Sequence, residues 1–156
     1  MKIRLISVGT KMPSWVAEGT AEYAKRIKRE LGFSLEEVPL AKRSKSQTIE
    51  QSMMKEGDGM LARIGSDDLV VALDVKGQAL STAELAARLQ HFKQEGRNVS
   101  LLIGGPDGLD PRCLQRSNEK WSLSALTMPH PLVRILITEQ LYRAHSLLQG
   151  HPYHRE

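Results

Sequence analysis

The chain contains one cysteine, Cys113, so it can form no internal disulfide and no cysteine-based zinc cage. In Asp-Pro-Arg-Cys-Leu it falls early in a short helix, where a lone cysteine reads as a small packing residue. Long apolar runs are missing as well. Leu101-Leu102-Ile103 is typical of the longest, far short of a bilayer span. The first residues carry no signal-peptide hydrophobic region, and the expectation is a cytoplasmic protein with no membrane partner. Several catalytic signatures are also absent. There is no Gly-x-x-x-x-Gly-Lys-Ser/Thr loop for nucleotide phosphates, no Gly-x-Gly-x-x-Gly after the first strand, and no Gly-x-Ser-x-Gly or His-Glu-x-x-His motif. The histidines lack metal-ligating spacing on one helix. His151 and His154 stand at i, i+3 around Pro152, and no metal site is expected. No internal repeat, low-complexity run or linker breaks the chain.

What is present fits one domain, since 156 residues suffice for a normal core. The formal charge of +4 favours a polyanionic partner without requiring one. Its arrangement says more than its size. Lys42-Arg43-Ser44-Lys45 form one basic cluster, and Lys25-Arg26 with Lys28-Arg29 form another. His130, His145, His151 and His154 gather near the C-terminus with Arg134, Arg143 and Arg155.

The periodicity predicts alternating strands and helices. Strands are expected over Lys2–Val8, Phe33–Val38, Asp68–Leu73, Val99–Ile103 and Lys120–Ala125. Helices are expected after Pro13, over Ile49–Ile64, from the Ser81/Glu84 capping box to Gly96, after Asp110-Pro111, and over Pro131–Leu148. Gly57 and Gly59 weaken the second helix. The loop Ala41–Ser46 is either a solvated surface loop or an RNA-contacting one. This alternation predicts an α/β fold, a mostly parallel sheet with helices on both faces.

Two strand ends stand out. Gly104-Gly105-Pro106-Asp107-Gly108 follows a wholly apolar run, and its glycines let backbone approach a ligand while Pro106 stiffens the loop. The pentapeptide is equally a tight strand-to-helix turn. The second end, Leu123-Ser124-Ala125-Leu126-Thr127-Met128-Pro129-His130, is small and weakly polar. As a pocket wall it suits an adenosine or a thioether better than an anion; as packing, it is a buried strand and loop. Paired strand ends of this kind are how α/β proteins build ligand pockets.

These two segments, with Val8-Gly9-Thr10-Lys11, Leu141-Tyr142-Arg143-Ala144 and the ending Tyr153-His154-Arg155-Glu156, closely resemble the RlmH family over essentially the whole chain. These are SPOUT-class methyltransferases acting on a pseudouridine of large-subunit (23S) ribosomal RNA. The resemblance implies a C-terminal trefoil knot, a rare exception to unknotted topology, and a homodimer. It also implies S-adenosylmethionine bound bent against Leu73, Gly104 and Leu123, Ser124, Ala125, Leu126, Thr127 and Met128, with Gly105 and Gly108 shaping the loop. The implied reaction methylates N3 of a pseudouridine in helix 69 on the assembled ribosome, which requires losing the N3 proton. The candidates for that proton are His130, which otherwise only holds the turn between its prolines, and His154. Arg155 and Tyr153 suit orienting the base. Arg134 and Arg143 are nine residues apart, about 180° around an ideal helix, so they are not expected to serve one site; Arg143 is placed on the substrate side. The tail of one subunit is expected to complete the pocket of the other. A non-catalytic ribosome-binding factor is the competing class. A phosphate-binding hydrolase built on the glycine loop lacks both a metal and a nucleophile motif.

Overall fold

Apolar side chains alternate between the two faces of the strands, and helices cover both faces. The computed structural model describes residues 1–154. In chain order the elements are β1 (Ile3–Val8), α1 (Ser14–Ile27), β2 (Ser34–Val38), α2 (Ile49–Leu61), β3 (Leu69–Ala79), α3 (Thr82–Glu95), β4 (Val99–Ile103), α4 (Pro111–Arg116), β5 (Glu119–Ser122), α5 (His130–Leu148) and a 3-10 turn (Pro152–His154). The strands form one parallel sheet in the order β2-β1-β4-β3-β5.

Successive Cβ atoms leave a strand on opposite sides. Leu5, Val71 and Leu101 therefore pack with Ile27, Leu89, Phe92, Ile137 and Leu141 of α1, α3 and α5. Ile6, Val70 and Leu102 pack on the other side with Met60 of α2 and Cys113 of α4. A parallel sheet buried on both faces is the expected outcome of such crossovers. Trp121 is fully buried on the first side and stacks on Phe92 at 6.0 Å, while its indole N–H donates to Glu119 at 3.1 Å. Cys113 is fully buried, and burial pushes its thiol up to about 11, as suits a packing residue. No helix among the described residues is long and apolar enough to cross a membrane.

The elements match the sequence expectation except at their ends. The fifth strand stops at Ser122 instead of reaching Ala125. There Ser122 Oγ donates to the Ser124 carbonyl and the Leu126 N–H donates to Ser124 Oγ, local bonds that compete with a ladder. β3 runs on to Ala79, past a register shift between Leu73 and Gln78. α2 begins at a Thr48/Gln51 capping box and ends at Leu61. The Ser81/Glu84 box and the left-handed Gly96 cap delimit α3 as expected.

Helix α5 is held to the sheet by a buried guanidinium. Arg134, whose side chain is 2 % exposed, donates to Glu37 Oε2 at 2.6 Å, Ser7 Oγ at 3.0 Å and the Gly9 carbonyl at 3.1 Å. Ser7 and Glu37 face one another in the β1–β2 register, so one side chain ties the start of α5 to two strand ends. Removing Glu37 leaves this charge buried without its counterion, a loss of about 3–5 kcal/mol. Removing Arg134 leaves a carboxylate that is 35 % exposed and open to water. Urea unfolding is expected to show a larger loss for Glu37→Ala than for Arg134→Met; the reverse order would show that the ion pair does not anchor α5.

Candidate active site

A cavity of about 270 Å³ opens over the carboxyl ends of β3, β4 and β5, where parallel sheets bind ligands. Three segments line it. Leu73, Asp74 and Val75 end the first part of β3. The glycine loop contributes Gly104, Gly105, Pro106 and Gly108 between Ile103 and Leu109. The end of β5 contributes Trp121 and Ser122, and the segment after it Leu123, Ser124, Leu126, Thr127 and Met128, followed by His130 and Val133.

The glycine loop has this shape because its backbone crosses itself. A Cβ on Gly104 would lie 2.5 Å from the Gly108 carbonyl carbon, so no larger residue fits without moving main chain. The Gly108 N–H closes the turn on the Gly105 carbonyl at 3.0 Å, and its φ of +90° is one that side chains rarely adopt. Backbone is thereby laid against the cavity. The opposite wall is largely apolar, and two of its hydroxyls are engaged locally: Ser122 Oγ donates to the Ser124 carbonyl and Ser124 Oγ accepts from the Leu126 N–H.

The electrostatics are one-sided. Among the described residues Asp74 is the only lining side chain with a formal charge, and its carboxylate accepts the Lys76 N–H at 2.9 Å. Among the described lining residues there is no cation, so the cavity favours a neutral or positively charged ligand. His130 is the other titratable group in the wall. Burial, followed by the positive charge of Arg134, holds its imidazole below the usual range, so it is neutral near pH 7. Its Nδ1 is buried with no hydrogen-bond partner among the described residues.

Nine of the ten residues expected at the cofactor line this cavity; Ala125 does not, and is exposed. Of the three proposed catalytic residues whose side chains are described, only His130 is in the cavity wall. Arg143 and Tyr153 meet elsewhere. Arg143 pairs with Glu139 at 2.7 Å and lies 5.0 Å over the Tyr153 ring, and Tyr153 Oη donates to Glu139 Oε1 at 3.0 Å. Burial of the ring, followed by that bond, keeps the phenol protonated, pushed up to about 12. Glu139 comes nine residues after His130, about 13 Å along a helix axis, so this cluster does not reach the cavity of its own chain. The His154 side chain and Arg155 lie outside the described residues. Asp74, Val75, Ser122 and Val133 line the cavity without having been singled out. The signal for Asp74 was its place beside Leu73 at a strand end, but the β3 irregularity where it lies is invisible in periodicity. Among the described residues no group of three or more metal-ligating side chains is placed to hold a metal.

A parallel sheet with a cation-free cavity over its strand ends, walled by a crossing glycine loop, defines a small-ligand α/β protein. The chain belongs to the SPOUT methyltransferase family: the sequence model of the family described as "Predicted SPOUT methyltransferase" matches residues 1–154. It is 58 % identical to the ribosomal RNA large subunit methyltransferase H of Saccharophagus degradans, over 99 % of this chain and 100 % of that one. The protein of the same name from Chromohalobacter salexigens is 54 % identical over the same shares. In fold it is similar to a probable methylase family protein from Haemophilus influenzae, with a TM-score of 0.53 and 14 % identity over 97 % of this chain and 69 % of that one. Gly104→Ala is expected to cost about 1–3 kcal/mol through overpacking and to move amide resonances over 103–109; an unchanged urea midpoint would show that the loop crossing is not tight.

Proposed function

We propose that this protein is an S-adenosylmethionine-dependent methyltransferase acting on RNA, and in particular on N3 of a pseudouridine in helix 69 of 23S rRNA in the assembled ribosome. The observation that carries this reading is the cavity. It is sized for a nucleoside, walled by glycine backbone and apolar side chains, and among the described residues charged only by Asp74. Such a wall fits a donor bearing a sulfonium and an ammonium, and it lacks the cations an anionic cofactor wants. Membership of a methyltransferase family and the printed names of the relatives support the reaction and the RNA class. Exposed Lys42, Lys45, Lys25 and Lys28 supply positive charge for a phosphate backbone. Where ribosomes are the substrate, the cytoplasm is the site of action.

When bound, S-adenosylmethionine supplies an electrophilic methyl group. Gly104 and Gly108 let main chain approach the adenosine, with Gly105 shaping the same loop. Leu73, Leu123, Leu126 and Met128 exclude water, Ser124 and Thr127 offer hydroxyls, and Ala125 keeps that loop compact. The knot implied by the family carries this segment past the glycine loop. His130 lines the same cavity, and its neutral imidazole would take up the imide proton of N3.

The remaining substrate contacts come from a second copy of the chain. Trp15 of α1 and Leu132 and Leu136 of α5 are exposed apolar side chains, the last two at i, i+4 on one helical face. Burying them in a homodimer brings Tyr153, His154, Arg155 and Arg143 of one protomer to the cavity of the other, where the arginines and Tyr153 orient the base and His154 is a second proton acceptor. Mixed dimers of a tail-deleted subunit and a Gly104 variant are expected to recover activity, and no recovery would exclude a shared site.

The reaction is tested by transfer of labelled methyl to ribosomes lacking the modification, with mass mapping of the product nucleotide. Donor binding without label in large-subunit RNA would identify a binding factor instead of an enzyme. His130→Ala is expected to lower kcat by about 10²–10⁴. With the folded pKa of His130 depressed, kcat/KM should hold down to pH 6.5 and fall only as the imidazole protonates below it. An acid limb unchanged in His130→Asn would remove His130 from the proton step.

A further inference from the structure

The basic loop after β2 is bound to the glycine loop through one side chain. Glu56 of α2 is 3 % exposed and sits directly beneath Gly105: a Cβ there would lie 3.0 Å from Glu56 Oε1. Its Oε2 accepts the Ala41 N–H at 3.1 Å and also pairs with Arg43. Arg43 then reaches outward to the glycine loop, donating from Nε and Nη2 to Asp107 Oδ2 at 3.2 and 2.9 Å, while Nη1 also donates to the Ala41 carbonyl at 2.9 Å. All three guanidinium nitrogens are engaged. Hydrogen bonding to Glu56, then to Asp107, holds its pKa above the ordinary value, so the bridge is permanently charged. Lys42 and Lys45 on either side are exposed, and the Lys42 carbonyl accepts from Ser52 Oγ at 3.1 Å.

Asp107 does not line the cavity, whereas Gly105, Pro106 and Gly108 around it do. Its carboxylate therefore grips the donor loop from behind. The sequence showed a basic cluster and a glycine loop as separate features; the structure joins them, with one arginine spanning an acid from each side.

We propose that Arg43 is a positioning residue: by bridging Glu56 and Asp107 it fixes the glycine loop in its donor-binding shape and couples that shape to RNA contacts made by Lys42 and Lys45. The inference rests on the methyltransferase reading for its ligands but not for its geometry. A planar fork can span two carboxylates; the point charge of a lysine cannot. Coupling of this kind is reciprocal, so occupancy of one side raises affinity on the other by the same factor.

The test uses the full-length protein with Arg43→Lys, Asp107→Asn and Lys42→Ala/Lys45→Ala. S-adenosylhomocysteine binding is measured by calorimetry, and KM for ribosomes is measured separately. Amide exchange of Gly108, whose N–H closes the loop, gives a readout that needs no ligand. Asp107→Asn and Arg43→Lys are expected to speed Gly108 exchange and to weaken S-adenosylhomocysteine binding, each by about tenfold, within the usual range of coupling between sites. Lys42→Ala/Lys45→Ala should raise the ribosome KM and leave S-adenosylhomocysteine binding unchanged. The sign for Asp107→Asn is decisive. Deleting a negative charge should by itself improve RNA affinity, whereas loss of positioning raises the ribosome KM. Unchanged Gly108 exchange, or donor binding equal to wild type with an improved ribosome KM, overturns the proposal. Faster exchange in a protein that never binds S-adenosylhomocysteine leaves the clamp standing, but overturns both its coupling role and the methyltransferase reading.

Discussion

The buried guanidinium of Arg134 joins the start of α5 to the carboxyl ends of β1 and β2, and the site depends on that join. Without it the helix would have no fixed entry point, since its N-cap, Pro129, makes no side-chain capping bond. The charge is tolerated because Glu37, Ser7 and the Gly9 carbonyl answer it, as a buried ion requires. The same charge acts on His130 one turn earlier, reinforcing burial in keeping the imidazole neutral. One residue thus fixes where α5 begins and adds to the burial that keeps its first side chain neutral.

Around this anchor the cavity is assembled from backbone more than from side chains. Gly104 and Gly108 place main chain where a bulkier sequence would clash, and the segment after β5 leaves the sheet as soon as Ser122 and Ser124 satisfy neighbouring polar groups locally. Charge is held away from the ligand: Arg43 is bound between Glu56 and Asp107 behind the glycine loop, while Arg143, Glu139 and Tyr153 engage one another along α5. A cavity left with one carboxylate and one neutral imidazole is a coherent place to hold a cationic methyl donor and take up a proton.

Much of this was legible in the chain. The 2-residue and 3.6-residue periods located the strands and helices, the Ser81/Glu84 box marked the start of α3, and the apolar run into Gly104-Gly105-Pro106-Asp107-Gly108 marked one cavity wall. Other features were illegible for physical reasons. The roles of Arg134 and Arg43 depend on partners far away in the chain, Glu37 and Asp107 among them, and no local pattern announces such pairing. Asp74 lines the cavity where β3 loses register against β5, an irregularity that leaves no trace in periodicity.

By itself, then, the sequence determined the element types, the two-sided sheet, the glycine loop and a family resemblance, because all of these rest on local propensity and spacing. Tertiary structure decided which charges are buried, which are neutralised and which remain to act. It placed His130 in the cavity wall with a buried, unpartnered Nδ1, buried Arg134 one turn further along, and drew Arg143 and Tyr153 together around Glu139, about 13 Å along α5 from His130. These outcomes turn on distances between residues remote in sequence, and desolvation and Coulomb energy are set by those distances.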